Sequence, residues 1–261
     1  MIDIHHHLLY GLDDGARDLE DAVAMAHAAI ENGITHVVCT PHSNDQFPFD
    51  PMVNFQKLMA LKERIGDGLT LGLGCDFHLS YDNIENQFKY PTRYTINGKQ
   101  YLLVEFPDMA IPLQISDTLY NFNIGGVIPI ITHPERNYTL VQNPSRMAVW
   151  LRSGCLIQIT AGSLLGRFGK RAESAALDLL ERNWVNFIAS DAHNVTSRPV
   201  VMREAYTKVA RRYGQETADR LCIHNPRAVF YGEPMPPQPE PAGLEEAPPP
   251  PQGFLARLFS K

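Results

Sequence analysis

The sequence predicts an α/β fold in which about seven parallel strands are joined by helical crossovers, close to a closed barrel. Three observations carry this expectation. From residue 1 to about residue 231, short apolar, β-branched runs alternate with helical patterns, the order that builds parallel sheets from β-α-β units. A chain of 261 residues with 44% hydrophobic content can bury a large core, and its length fits one such domain. Histidines and acids recur where the apolar runs end, which in a parallel sheet is the end where sites assemble.

The elements follow in order. Residues 2–7 alternate in Ile2-Asp3-Ile4-His5 and read as a strand that ends in histidines; a purification tag would be a longer run outside the fold. DLEDAVAMAHAAIENG reads as a helix, with an aspartate near its start and Gly33 at its end. THVVCT (35–40) is the second strand, residues 51–65 a second helical pattern and LTLGLGC (69–75) the third strand. In YTINGKQYLLVEF, Asn97-Gly98 between β-type runs predicts a small antiparallel hairpin before the fourth strand, 101–106. Strands at 126–132, 156–160 and 186–190 follow, with GKRAESAALDLLERN as a helix between the last two. After Tyr231 the composition shifts to GEPMPPQPEPAGLEEAPPPPQG, expected to be an extended, disordered proline-rich linker over 232–253. In the terminal FLARLFSK (254–261), Phe254, Leu255, Leu258 and Phe259 would share one face of a short helix. That end could dock on its own domain, a neighbouring subunit, a partner or a membrane surface, or simply fray, because eight residues seldom hold a helix alone.

Bulk properties exclude several classes. A formal charge of -6 argues against affinity built on nucleic-acid phosphates, so no nucleic-acid partner is expected. Cys39, Cys75, Cys155 and Cys222 lie far apart without a C-x-x-C pair, which suggests neither a disulfide framework nor a zinc ribbon and fits a reducing cytoplasm. No run is long enough to span a bilayer, and the start of the chain lacks a signal-peptide layout.

Because side chains alternate along a strand, His5 and His7 point one way and His6 the other. Alone, such a pair is more often a packing feature than a metal site. The other strand ends change that balance: His42 follows the second strand, Asp76 the third, Glu105 ends the fourth, His133 follows the fifth, and Asp191 and His193 follow the seventh. With Asp14 these are nine candidate ligands, all imidazole or carboxylate, which favours Mn, Fe, Zn or Mg over soft-metal use. Nine are too many for one ion and suit two or three with bridging carboxylates. Four carboxylates against three divalent ions leave a cluster of about two positive charges, which attracts phosphate and lowers the pKa of bound water towards ~7.

MIDIHHH, LDDG, CTPH, GCD, LLVEF, ITHPER, ASDAHN and SRP together resemble the signature segments of the PHP (polymerase and histidinol phosphatase) superfamily. More closely they are similar to its bacterial manganese-dependent protein-tyrosine phosphatases of the CpsB and YwqE type. The resemblance spans residues 1–231 and not the tail. It implies a distorted, TIM-like (β/α)7 barrel with three metal ions, and removal of phosphate from the tyrosine-rich tails of autokinases that control capsule or exopolysaccharide synthesis. It also implies that His5, His7, Asp76 and Asp191 hold one ion, that Asp76, Glu105 and His133 hold a second, and that Asp14, His42 and His193 hold a third. Arg136 and Arg198 match positions of phosphate-binding arginines, whose planar forks suit phosphate oxygens; without the resemblance each would read as a solvated surface arginine. Asp76 departs from the family's glutamate and is one methylene shorter. His78 lies two residues on, in reach of a supporting role, and Asp13 beside Asp14 reads as a loop or supporting residue.

The implied chemistry is in-line attack of a metal-bridging hydroxide on phosphorus, without a phosphoenzyme. A cysteine phosphatase needs C-x5-R, and Cys222 has Arg227 one place too early and Ala228 where arginine should stand. A small-molecule phosphoesterase for histidinol phosphate or a nucleotide phosphate would use the same ions, and a non-catalytic metal-binding regulatory domain is the third reading. Tyr90, Tyr94 and Tyr101 are packing residues by default and, alternatively, an aromatic lip for a phosphotyrosine ring.

Overall fold

The computed structural model describes residues 1–107, 111, 112 and 114–244. Nine strand segments run through them: β1 Ile2–His6, β2 His36–Cys39, β3 His42–Ser43, β4 Thr70–Leu73, β5 Asp76–His78, β6 Tyr101–Glu105, β7 Ile128–Thr132, β8 Leu156–Thr160 and β9 Phe187–Ala189. All pairings are parallel, in the orders β1-β2-β4 and β3-β5-β6-β7-β8-β9. The two arcs are one seven-stranded barrel with two broken staves. Pro41, which has no N–H, separates β2 from β3, and Gly74-Cys75 separates β4 from β5. Gly74 N–H donating to the Cys39 carbonyl (2.9 Å) carries the ladder across the gap. The barrel closes where Asp191 N–H donates to the His5 carbonyl (2.9 Å) and His7 N–H to that of Ala192 (3.0 Å).

The helices are α1 Leu19–Glu31, α2 Pro51–Ile65, α3 Tyr81–Lys89, α4 Ile115–Ile124, α5 Tyr138–Gln142, α6 Ser145–Arg152, α7 Ala161–Leu164, α8 Gly169–Glu181, α9 Met202–Tyr213, α10 Gln215–Asp219 and α11 Asn225–Tyr231. Their ends follow local chemistry: the Asp18 carboxylate accepts from Asp21 N–H to cap α1, and the Asp50 carboxylate accepts from Met52 and Val53 N–H ahead of Pro51 in α2. Inside the barrel Ile4, Val38, Leu103, Ile130 and Ala189 form a plug, closed below by Tyr101, Val229 and Phe230; a larger apolar layer lies between strands and helices. Among the described residues no helix is long and apolar enough to cross a membrane.

One expectation needs correction. Asn97-Gly98 makes a tight 3-10 turn rather than a hairpin, and among the described residues no antiparallel strand precedes β6. Asn97 takes the left-handed conformation (φ 52°) while its side chain bridges Leu73 N–H and the Phe230 carbonyl, so it ties strand to helix instead of reversing a ribbon. Residues 233–244, the described part of the proline-rich segment, run as a strap across the base. The Tyr101 hydroxyl donates to the Glu233 carbonyl (2.7 Å) and Trp184 Nε1–H to that of Ala242 (2.8 Å). Gln238 hydrogen-bonds Asn225 and Arg220, while Met235 and Leu244 pack on the two apolar clusters. A proline-rich strand offers carbonyls without N–H groups, and here the domain's side chains supply the donors. The rest of the expected linker, 245–253, and the terminal segment 254–261 lie outside the described residues.

Candidate metal centre

All nine candidate ligands meet at the carboxyl end of the barrel. Ile2 and Ile4 already point into the barrel. A register slip against β2 between Asp3 and His6 adds one residue, a bulge that turns His5 inward as well. His5 and His7 then converge with Nε2 atoms 3.2 Å apart, while His6 stays out of the cluster, buried and without a partner on either ring nitrogen. His133 (φ 34°) and Asp191 (φ 51°) sit in left-handed backbone just past β7 and β9, a conformation that costs about 1 kcal/mol or more and folds their side chains back over the mouth. Gly15 is required by the Asp13-Asp14 turn: a Cβ there would meet the His7 carbonyl at 2.3 Å.

The donor atoms suit divalent cations. Four groups each bring their ligand atoms within 4.8 Å: His7, Asp14, His42 and His193; His5, His7 and Asp76; His5, His133 and Asp191; and His42, Asp76 and Glu105. Three imidazoles have Nδ1 committed elsewhere, His5 to Gln158 Oε1 (2.9 Å), His7 to Asp13 Oδ2 (2.7 Å) and His193 to the Asp191 carbonyl (3.0 Å). Their Nε2 atoms are thereby left for the cluster, the arrangement that metal-binding histidines adopt. Asp76 Oδ2, Asp191 Oδ1, His42 Nδ1 and His193 Nε2 are buried with no hydrogen-bond partner. Buried carboxylate oxygens facing imidazole nitrogens without hydrogen bonds are what a cation satisfies.

The electrostatics agree. Burial works against charge on His5, yet the Asp76 and Asp191 carboxylates raise its pKa to about 9; burial is likewise overcome at His42, raised to about 11 by the facing Asp14 and Asp76 carboxylates. Burial, assisted by Arg136, lowers His133 to about 3, and burial with His7 lowers His193 to about 4. Against their own burial, Asp76 and Asp191 are held well below the usual carboxylate range by the facing His5 and other cations, so protons stand where metal charge belongs.

Some groupings differ from those implied by the resemblance. His42 faces both Asp14 (3.4 Å) and Asp76 (3.3 Å) and so stands between two groups, while His133 converges with His5 and Asp191 and is 3.8 Å from Glu105. His78 Nδ1 lies 3.7 Å from Glu105 at the rim. Arg136 and Arg198 both donate to Asp191 Oδ2, Arg198 at 2.7 Å, with Arg198 Nη1 3.8 Å from Asp14. Clefts of about 320 Å³, beside Asp14, His193 and Thr196, and about 170 Å³, beside Glu105, His133 and Arg136, flank the cluster. The aromatic lip is not formed by Tyr94 and Tyr101, which are buried in the core, Tyr101 at the opposite end of the barrel. Sequence reasoning missed Gln158 and Asp3. Asp3 Oδ1 accepts from the N–H groups of His5 and Ser190, and burial raises its carboxyl to about 6. Their signal was a polar residue inside an apolar strand run, in LIQIT and IDIH.

Over residues 1–231 the chain matches the family described as "Capsular polysaccharide synthesis, CpsB/CapC". It is 35% identical over 245 residues to tyrosine-protein phosphatase YwqE of Bacillus subtilis (strain 168), covering 90% of this chain and 96% of that one. It is 31% identical over 242 residues to tyrosine-protein phosphatase CpsB of Streptococcus pneumoniae, covering 89% and 99%. Among solved structures it superposes with a TM-score of 0.85 and 34% identity on a chain from the YwqE and CpsB crystal structures, described as unique metal-dependent tyrosine phosphatases, over 92% of this chain and 99% of that one.

Proposed function

The chain belongs to the CpsB/CapC capsular polysaccharide synthesis family, and from that premise we propose that it is a metal-dependent protein-tyrosine phosphatase. Its substrate is a phosphotyrosine protein, a bacterial tyrosine autokinase controlling capsule or exopolysaccharide synthesis, met in the cytoplasm. The observation that carries the reading is the joining of two functions on one carboxylate: Asp191 Oδ1 faces the His5 and His7 Nε2 atoms, and Asp191 Oδ2 carries both arginines. A phosphate at the cluster is therefore within reach of two guanidinium forks.

His5, His7, Asp14, His42, Asp76, Glu105, His133, Asp191 and His193 would hold two or three ions. Imidazole and carboxylate without thiolate suit manganese, with Fe, Zn or Mg as substitutes. Such ions, when bound, would supply Lewis acidity and activate water at neutral pH. Arg136 and Arg198 orient the phosphate and offset the charge spread over its equatorial oxygens in an in-line displacement. A phenolate leaving group, with a free pKa of ~10, departs without a dedicated acid from the chain. The cysteines take no part: burial pushes Cys39 above the range of a useful thiolate and Cys155 and Cys222 up to about 12.

The test is a substrate panel of phosphotyrosine peptide, phosphoserine peptide and histidinol phosphate, run before chelation, after it and after return of Mn, Zn or Mg. Hydrolysis of the phosphotyrosine peptide should vanish on chelation and recover with Mn. Undiminished turnover in chelator, or a preference for histidinol phosphate, would overturn the reading.

A further inference from the structure

The end of β8 gives no side chain to the nine-residue cluster, yet the segment that follows it is built with unusual economy of space. The Gly162 carbonyl accepts from both Leu165 and Arg167 N–H, and Lys208 Nζ donates to the Leu164 carbonyl while pairing with Glu173 at 2.7 Å. Phe168, at the end of this segment, lies against Gly162, where a Cβ would come within 2.9 Å of the ring's Cε2. On the ring sits the Arg136 guanidinium, its Cζ 4.4 Å from the ring centroid. The residue before it is tied to the same segment, Glu135 Oε1 accepting from Thr160 N–H (2.9 Å) and the Ser163 hydroxyl (2.7 Å). The Pro134-Glu135-Arg136 turn is thus fixed to this segment twice, by hydrogen bonds at Glu135 and by stacking at Arg136.

We infer that Phe168 is a positioning residue for Arg136, its ring fixing the plane in which the guanidinium meets phosphate. The inference rests on the proposed phosphate role of Arg136. A long arginine side chain, a quarter exposed, has many rotamers, and its contact with Asp191 constrains only the tip. The ring face adds a second constraint through cation–π attraction, and it excludes water from one face of the fork. Gly162 is the complementary requirement, because any side chain there would displace the ring.

The test compares Phe168→Leu, Phe168→Tyr and Arg136→Ala in the Mn-loaded full-length protein, reading KM and kcat for a phosphotyrosine peptide and, by calorimetry, the affinity for inorganic phosphate. Phe168→Leu should raise KM and weaken phosphate binding about tenfold with little change in kcat. Phe168→Tyr, which keeps the ring, should remain close to the parent, and the metal content of all variants should be unchanged. Adding Phe168→Leu to Arg136→Ala should cost nothing further. Gly162→Ala, which moves the ring without deleting it, should reproduce the Phe168→Leu phenotype. If Phe168→Leu binds phosphate like the parent while Arg136→Ala does not, the inference fails and the role of Arg136 stands. If Arg136→Ala also binds phosphate normally, both fall.

Discussion

His7 reaches the cluster through Nε2 because Asp13 holds its Nδ1 at 2.7 Å, and the same carboxylate accepts from the backbone N–H groups of His42 and Gly15. Asp13 is itself kept ionised, His7 outweighing the effect of burial. Replacing Asp13 with Asn keeps the shape and loses the charge behind the imidazole. Mn affinity measured by titration calorimetry should then fall about 10- to 100-fold, the usual loss when a partner of a ligating histidine is removed; parent-like affinity would remove Asp13 from the site. At this scale the convergence of the candidate ligands was legible because imidazole and carboxylate recur at strand ends, Asp14 alone being chosen over Asp13 by the resemblance. Asp13 was ambiguous because two adjacent aspartates differ only in which way the turn points them. Gln158 stood out only as a polar residue within LIQIT, and its pairing was illegible: its partner His5 is 153 residues away, and the bulge that aims His5 at it leaves no mark in a run of alternating residues.

Among elements, the seven runs read as strands are strands because each packs apolar side chains against the core, whereas the two breaks at Pro41 and Gly74-Cys75 depend on pairing between distant segments. Asn97 illustrates the limit. Asn-Gly states that the chain turns with positive φ, and it does not state whether a second strand returns. Asn97→Ala loses the bonds to Leu73 and Phe230 and strains the backbone, so urea unfolding should show a loss of about 2–3 kcal/mol. Asn97→Gly, free of the strain, should recover about 1 kcal/mol of it. Equal losses in the two variants would mean that the left-handed backbone contributes nothing. The strap makes a separate claim. A chain ending at Leu244 should unfold like the full protein, and one ending at Gly232 should lose about 2 kcal/mol or more by uncovering Trp184 and Tyr101, whose side-chain donors lose their acceptors. Matching urea midpoints for the two truncations would make the strap an ornament of the domain.

For the whole molecule, the convergence of so many charges at one end of the barrel makes stability depend on what neutralises them. Without metal, the task falls to protons on His5 and His42, held to about 9 and about 11 by facing carboxylates in spite of burial. In the unfolded chain the same imidazoles release their protons near pH ~6.5. Between these values the native state binds more protons than the unfolded one, so stability falls as pH rises. The contribution is complete below pH ~6.5 and drains away as pH passes about 9. Metal reverses the slope, because ions displace these protons and bind more tightly as pH increases. Thermal unfolding of chelated and Mn-saturated protein from pH 6.5 to 9 should therefore give diverging curves, the chelated protein losing Tm while the stabilisation conferred by Mn grows. A chelated Tm that is level or rising across this window would mean that the imidazoles are neutral in the native fold, and that the carboxylates around them are balanced by something other than His5 and His42.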